Sequence, residues 1–429
     1  MKRPGSYGLV ITSARKTLGV LASLLLAARA ESAPARPAPG LPAPTGTIVS
    51  VSTEPQLQNA IALVQSNTTI LIAPGTYALT STLYINGTFT NVALRGASGN
   101  ADDVVLQGPG MTNAAYGSVP FGVWTGGNVQ NVLIANLTIR DVYYHPIIFN
   151  VGTQSPRVYN VRLVNAGQQF IKSNPDGAGG GVNNGIVEYA IIEYDTTSRD
   201  DYTNGVDVHA GQNWIVRNSL FRNIRAPQGL LAGPAVLMWN GTANSIVEAN
   251  TFIDCQREIA FGLIDRGSPH DHSGGIVRNN FIYRRSRVTG DVAIGVFDSP
   301  GAQVLHNTVL IAGGGYPNAL EYRFSGSSAV VVANNLFDSA IQARDGATGT
   351  VSSNYLQATP ALFVNASAGD LHLLSSAAVA IDKTVVRSSA SADWDGQARP
   401  IGAAADLGAD ESSSVTLPTT PTNVRIVGQ

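Results

Sequence analysis

The sequence predicts an all-β fold, a single-stranded parallel β-helix whose chain winds through about nine to eleven coils. Two observations predict it. The first is a recurring phrase, an aliphatic run, then Asn, then another aliphatic run: IVRNSLF at 215–221, IVEANTFI at 246–253, IVRNNFI at 276–282, VLHNTVL at 304–310, VVANNLF at 331–337 and VSSNYL at 351–356. The second is the spacing of these copies. The aligned positions 218, 250, 279, 307, 334 and 353 step by 32, 29, 28, 27 and 19 residues, too short for a domain and right for one turn of a solenoid. Weaker copies around Asn136, Asn160 and Tyr189 extend the array backwards.

Runs of four or five residues rich in Val and Ile, separated by Gly or Asn, read as short strands. Strands of successive coils lie about 4.8 Å apart, so a residue type repeated at one position stacks into a ladder. Asn tolerates the left-handed backbone of a sharp corner, and stacked Asn amides can bond from coil to coil. The repeated Asn is therefore expected to be structural. Turn pairs such as Asn-Gly do not join the paired runs, which argues against an antiparallel sandwich or propeller.

The chain has 429 residues, 45 of them Gly, with only 13% charged. A repeat architecture lets that length form one long domain, expected over 47–411. A net charge of -2 implies neither a nucleic-acid face nor a general attraction to polyanions. Lys2, Arg3, Arg15 and Lys16, an apolar stretch from Leu18 to Ala28 and the Ala28-Arg29-Ala30 site read as a signal peptide over 1–30, too short for a membrane span. The expected location is thus secreted, extracellular or periplasmic. Residues 31–46 read as a Pro/Ala-rich linker and 412–429 as a disordered tail. Cys255 is the only cysteine, so no disulfide framework exists and a packed thiol is expected.

Thr53-Glu54-Pro55 opens a short amphipathic helix through Val64, with Leu57, Ile61 and Val64 on one face. Its expected task is to cover the open end of the solenoid. TTILIAPGTY follows as strand and turn, and ADLGADE at 405–411 closes the last weak coils.

In each coil a first strand precedes the Asn corner. Aligned by alternation, these are QFIKSN at 169–174, GVDVHA at 205–210, AVLMWN at 235–240, IAFGLI at 259–264, VAIGVF at 292–297 and LEYRF at 320–324. With Val206 and Val208 inward, Asp207 and His209 face out, with Lys172 outward one coil earlier and Trp239 one coil later. Beyond them Ala260, Gly262, Ala293 and Gly295 are bland, until Glu321, Arg323, Gln342 and Arg344 appear. Nearby turns add Arg199, Asp200, Asp201, Tyr202, Arg225, Arg257 and Glu258, and a longer loop holds Asp265, Arg266, His270, Asp271 and His272. Three of six His then sit on two edges of one face. Arg284-Arg285-Ser286-Arg287 reads as a solvated basic edge.

LQNAIALV followed by ILIAPGTY, the Asn-cornered coils and the closing Asp-Leu-Gly-Ala-Asp-Glu resemble the pectate-lyase-like superfamily of right-handed parallel β-helix proteins, over roughly residues 48 to 411. The resemblance implies the fold and the right-handed winding. It implies no single activity, because such folds carry lyases, hydrolases, epimerases, tailspikes and adhesins. The Gly-His-Gly of polygalacturonase-like hydrolases is Val208-His209-Ala210 here, their Arg-x-Lys has no match, and the pectate-lyase Arg-x-Pro-x-x-Arg is absent.

The residues suit a lyase acting on a uronate-containing, acidic polysaccharide by β-elimination. That reaction needs a cation at the carboxylate, a base for the proton beside it and a donor for the leaving oxygen. Lys172, Arg225 or Arg257 would neutralise, His209 would be the base and Asp207 would orient it. Trp239, Asp201, Tyr202, Arg266 and His270 would bind substrate. A hydrolase would need two carboxylates, for which Asp200, Asp201 and Asp207 are candidates. A non-catalytic glycan-binding or adhesion protein would use the same strip. The residues name no certain cofactor; Ca²⁺ on Asp200, Asp201 and Asp207, or a metal on His270 and His272, stays open. A monomer is expected.

Overall fold

The computed structural model describes residues 35–286 and 288–412. Ten parallel strands stack in chain order into one sheet: Leu83–Thr90, Val123–Gln130, Ile147–Phe149, Ile171–Ser173, Val206–His209, Val236–Trp239, Ile259–Phe261, Ile294–Phe297, Asn318–Arg323 and Ala340–Arg344. Each strand belongs to a separate coil, which places the coil count inside the expected range. The other sides of the coils form a continuous twenty-stranded sheet. This is a parallel β-helix.

The core follows from period-two alternation applied coil after coil. Val216, Val247, Val277, Val304 and Val332 pair in succession and are fully buried. Phe221 and Phe252 stack with ring centroids 4.8 Å apart and planes within 10°. Identical side chains therefore meet at the strand spacing and stack into a continuous buried core.

The Asn corner is a two-residue device, and the sequence alignment slipped by one in alternate coils. Asn136, Asn160, Asn218, Asn279 and Asn334 hold the left-handed conformation, with φ between 48° and 61°. The next residue points inward and stacks: Asn250 Nδ2 donates to Asn280 Oδ1 (3.1 Å), Asn280 to Asn307 (2.9 Å), Asn307 to Asn335 (3.1 Å) and Asn335 to Asn354 (2.9 Å). Positions 250 and 307 belong to this buried ladder, whereas 218, 279, 334 and 353 belong to the bend. The two properties of Asn are thus divided between neighbours.

Outside, charges pair across coils. Glu188 receives Arg157 (2.7 Å) and Arg217 (2.8 Å), and Glu193 receives Arg162 (2.9 Å) and Arg222 (2.8 Å). The expected solvated edge at 284–287 is corrected here: Arg284 is fully buried, donating to Glu258 Oε2 (2.7 Å) and the Asp291 carbonyl (2.7 Å). Arg285 pairs with Asp254. Arg287 lies outside the described residues.

The helix Glu54–Ala62 starts on Thr53 and buries Leu57, Ala60 and Ile61 against the first strands, as the apolar face requires. Residues 35–46 are not a free linker. Arg36 Nη1 donates to Asn218 Oδ1 (2.7 Å) and the Trp394 carbonyl (2.6 Å), Tyr159 Oη donates to the Pro39 carbonyl, and Arg95 Nη1 holds the Pro42 carbonyl (2.7 Å). The segment straps the outer face. Nor do weak coils follow Tyr355: residues 358–411 form a cap of short turns and one antiparallel strand pair, Phe363–Asn365 with Asp370–Leu373. Its Leu371, Trp394 and Leu407 cover Phe281, Leu310 and Leu336 on the outside of the coils. ADLGADE does close this cap, since Glu411 pairs with Arg399 and accepts the amides of Asp406 (2.7 Å) and Ile401 (3.0 Å). The expected signal peptide, and the tail beyond Ser412, lie outside the described residues. No helix among the described residues is long and apolar enough to cross a membrane.

Candidate functional site

The outward face of the ten-stranded sheet carries the candidate site, and strand pairing confirms the aligned register. Lys172 pairs with Asp207, and His209 with Trp239. These side chains touch. Lys172 Nζ lies 2.5 Å from Asp207 Oδ2 and 2.6 Å from His209 Nε2, Trp239 Nε1 donates to Asp207 Oδ1 (2.8 Å), and the His209 and Trp239 rings are 4.5 Å apart. One coil spacing delivers them: side chains on the same face of adjacent strands stand about 4.8 Å apart.

Outward does not mean exposed. Lys172 and Asp207 are 6% and 2% exposed, and Trp239 is half-buried. Burial pushes the Asp207 carboxyl up, but its polar contact with His209 and the Lys172 charge outweigh it and hold the group below the usual carboxylate range. Because Lys172 donates to His209 Nε2, that nitrogen presents its lone pair and the ring proton belongs on Nδ1. Nδ1 faces the Asn240 amide at 3.4 Å, and the amide can turn its oxygen to accept.

The second cluster of predicted residues is a scaffold around Trp239. Buried Asp271 accepts the amides of Asn240 (2.7 Å), Leu263 (2.6 Å) and Ile264 (3.0 Å) and pairs with Arg266. Asp298, also buried, accepts Arg266 N (2.9 Å) and Asp271 N (3.1 Å) and contacts His270 Nδ1 at 2.7 Å. The loop so held brings the Arg266 guanidinium to 5.7 Å from the Trp239 ring. His270 is half-exposed on this loop.

His272 is not on the face. It is fully buried, stacked on Phe261 at 4.1 Å and bonded to Ser299 Oγ (2.9 Å), and burial pushes its pKa down to about 3. A His270/His272 metal pair is thereby corrected. Asp207 is committed to Lys172 and Trp239, Asp200 accepts the Tyr202 amide (3.0 Å) in its own turn, and Asp201 is exposed there with Tyr202. Among the described residues the only group converging at metal-ligand spacing is His372, Asp395 and Asp410, in the C-terminal cap. Ala293 is likewise buried, not outward.

Arg257 and Arg225 are placed apart from Lys172. Arg257 pairs with Asp291 (2.9 Å) and lines a cavity of about 190 Å³ further along the same face, with Ala260, Phe297, Tyr316 and Arg323. Arg225 lines a different cavity of about 810 Å³ with Gln228, Leu231 and Gln256. Cys255 is a buried packed thiol whose pKa burial raises.

Sequence reasoning missed residues in the earlier coils. Ile148 and Trp124 continue the Lys172 column towards the N-terminus, and Tyr84 pairs with Trp124. His145 is buried close enough to Lys172 for that charge to act on it, though burial is the main reason its pKa falls to about 4. Alternation in Val123-Trp124-Thr125 carried the signal, but these coils carry only the weaker copies of the Asn phrase, which were not used to align first strands.

No protein-family model and no curated protein matches the sequence. Solved structures do. The alginate lyase from Paenibacillus sp. str. FPU-7 superposes with a TM-score of 0.50 at 14% identity, over 72% of this chain and 98% of that one. The pectate lyase Pel9A superposes with a TM-score of 0.55 at 14% identity, over 86% of this chain and 97% of that one. With ten coils in parallel register and these two solenoids matched almost end to end, the chain has a right-handed parallel β-helix fold.

Proposed function

We propose that this protein is a polysaccharide lyase that cleaves a uronate-containing glycan by β-elimination over Lys172, Asp207 and His209. One observation carries the reading: a lysine ammonium and an imidazole lone pair meet at 2.6 Å on the outward face, above a buried carboxylate. Lys172 neutralises the sugar carboxylate, which acidifies the proton beside it. His209 Nε2, released from Lys172, takes that proton. The C–H electrons form the new C=C bond as the glycosidic C–O bond breaks, and the imidazolium returns its proton to the leaving oxygen. Asp207 holds Lys172 and, through Trp239, the far wall. The fold shared with an alginate lyase and a pectate lyase supports this substrate class.

The test is the ultraviolet absorbance of unsaturated product from pectate, alginate and glycosaminoglycans. Product from one of them is expected, together with its loss in His209→Ala. The near-complete burial of Lys172 favours a second reading, a glycan-binding protein without turnover. Retention of a glycan with no product from any would replace the lyase reading by that one. Export from the cell is part of the proposal, and an epitope-tagged full chain recovered outside the cytoplasm would support it.

A further inference from the structure

Two aromatic rings lie flat on the site face, each over a glycine two residues away on its own strand. A Cβ on Gly126 would overlap the six-membered ring of Trp124, and one on Gly295 would sit 2.7 Å from Phe297 Cζ. Both glycines are buried although their positions point outward, because the rings cover them. A ring that lies along its strand shows its face to solvent instead of its edge. That is the geometry on which a pyranose stacks, apolar C–H groups against the π-face.

The two rings are symmetrically disposed about the reacting cluster. Trp124 stands two strands before Lys172 in the same column, through Ile148. Phe297 stands two strands after Trp239 in the adjacent column, since Met238 pairs with Phe261 and Phe261 with Val296. Lys172 and Asp207 lie in the first column, with His209 and Trp239 beside them in the second. Six strand steps of about 4.8 Å separate the rings, roughly 29 Å. The sheet continues one strand beyond Trp124, to Tyr84, and two beyond Phe297.

Phe297 also has charged neighbours, two arginines beside the carboxylates of Asp291 and Glu321. Arg257 and Arg323 share its cavity, and the Arg323 guanidinium is 5.8 Å from the ring. Each arginine spends part of its five donors on an aspartate, Asp291 (2.9 Å) and Asp345 (2.7 Å), which leaves others for a sugar carboxylate.

We infer that Trp124 and Phe297 are the two end platforms of a binding track for a linear polyuronate lying along the solenoid axis, and that the protein therefore acts within long chains rather than at their ends. The inference rests on the proposed function for its cleavage readout, but the track itself does not require cleavage. One sugar advances along an extended chain by about one coil spacing, so the track holds roughly six residues.

The experiment grades oligo-uronates by length on the full chain. For the unmodified protein kcat/KM is expected to climb to about six residues and then level off. Trp124→Ala and Phe297→Ala are each expected to lower the ratio of kcat/KM for long over short substrate about tenfold. Gly126→Val, which lifts the Trp124 ring without deleting it, should do the same if the alanine variant folds poorly. An unchanged ratio in both platforms, or an unmodified protein that prefers the shortest substrate, overturns the track. If no uronate yields product, the lyase reading has failed, and retention on immobilised glycan decides the track instead. Weaker retention of both variants supports it; equal retention, or none by the unmodified protein, overturns it.

Discussion

Lys172 Nζ lies 2.5 Å from Asp207 Oδ2 in the neighbouring coil, and both side chains are buried on a face that alternation directs outward. Removing one partner strands the other charge away from water. Asp207→Asn is expected to cost about 3 kcal/mol of stability, and Lys172→Met with Asp207→Leu together to recover most of it. The pH dependence has a definite sign. Asp207 is held below the usual carboxylate range, so its contribution is complete above that range and is lost as pH falls through the lower folded value. Urea midpoints at neutral and acid pH for the parent and Asp207→Asn should converge on the acid side.

His209 should separate chemistry from binding. His209→Ala is expected to lower kcat at least a hundredfold, the ordinary share of a general base, while KM changes little. A variant that retained full turnover would remove His209 from the role of base.

The two asparagine columns should respond unequally to glycine. Asn279 holds a left-handed backbone, with φ of 53°, and its side chain bonds the Ala392 carbonyl (2.7 Å) and Arg399 Nη2 (3.3 Å), so Asn279→Gly keeps the bend, loses these two bonds and should cost about 1 to 2 kcal/mol. Asn280 donates to Asn307 Oδ1 and to the Val247 and Arg278 carbonyls from a fully buried site. Asn280→Gly should cost about 3 kcal/mol or more, because amides and carbonyls above and below it lose their partners. Chemical denaturation of the pair decides it.

His272 should report acid unfolding. Its pKa is depressed to about 3 by burial against Phe261 and Ser299, so the folded chain resists a proton that the unfolded chain accepts. Stability is then lost as pH falls below the ordinary imidazole value, by about 1.4 kcal/mol per pH unit until the folded pKa is reached. His272→Phe keeps the stacking and removes the titration, so the stability gap between the two proteins should tilt by that slope between about pH 6 and pH 4.

Arg284 and Glu258 form a fully buried pair that the sequence displayed as part of a basic run. Arg284→Met should cost about 3 to 5 kcal/mol by leaving Glu258 buried alone, and Arg284→Met with Glu258→Gln less than half of that. Thermal unfolding of both variants measures the difference.

The sequence by itself determined the coil, its period and which strand face looks outward. Those properties are local and repetitive: alternation of two recurs from copy to copy, and all but the last of the strong copies return after 27 to 32 residues. It therefore placed Lys172, Asp207, His209 and Trp239 together. Only the tertiary structure decided that Lys172 is buried, that Trp239 serves Asp207 through its N–H, that His272 turns into the core, and that residues 35–46 are strapped down. Those outcomes depend on how loops of unequal length fold back and on contacts between residues far apart in the chain, which carry no period for a sequence to display.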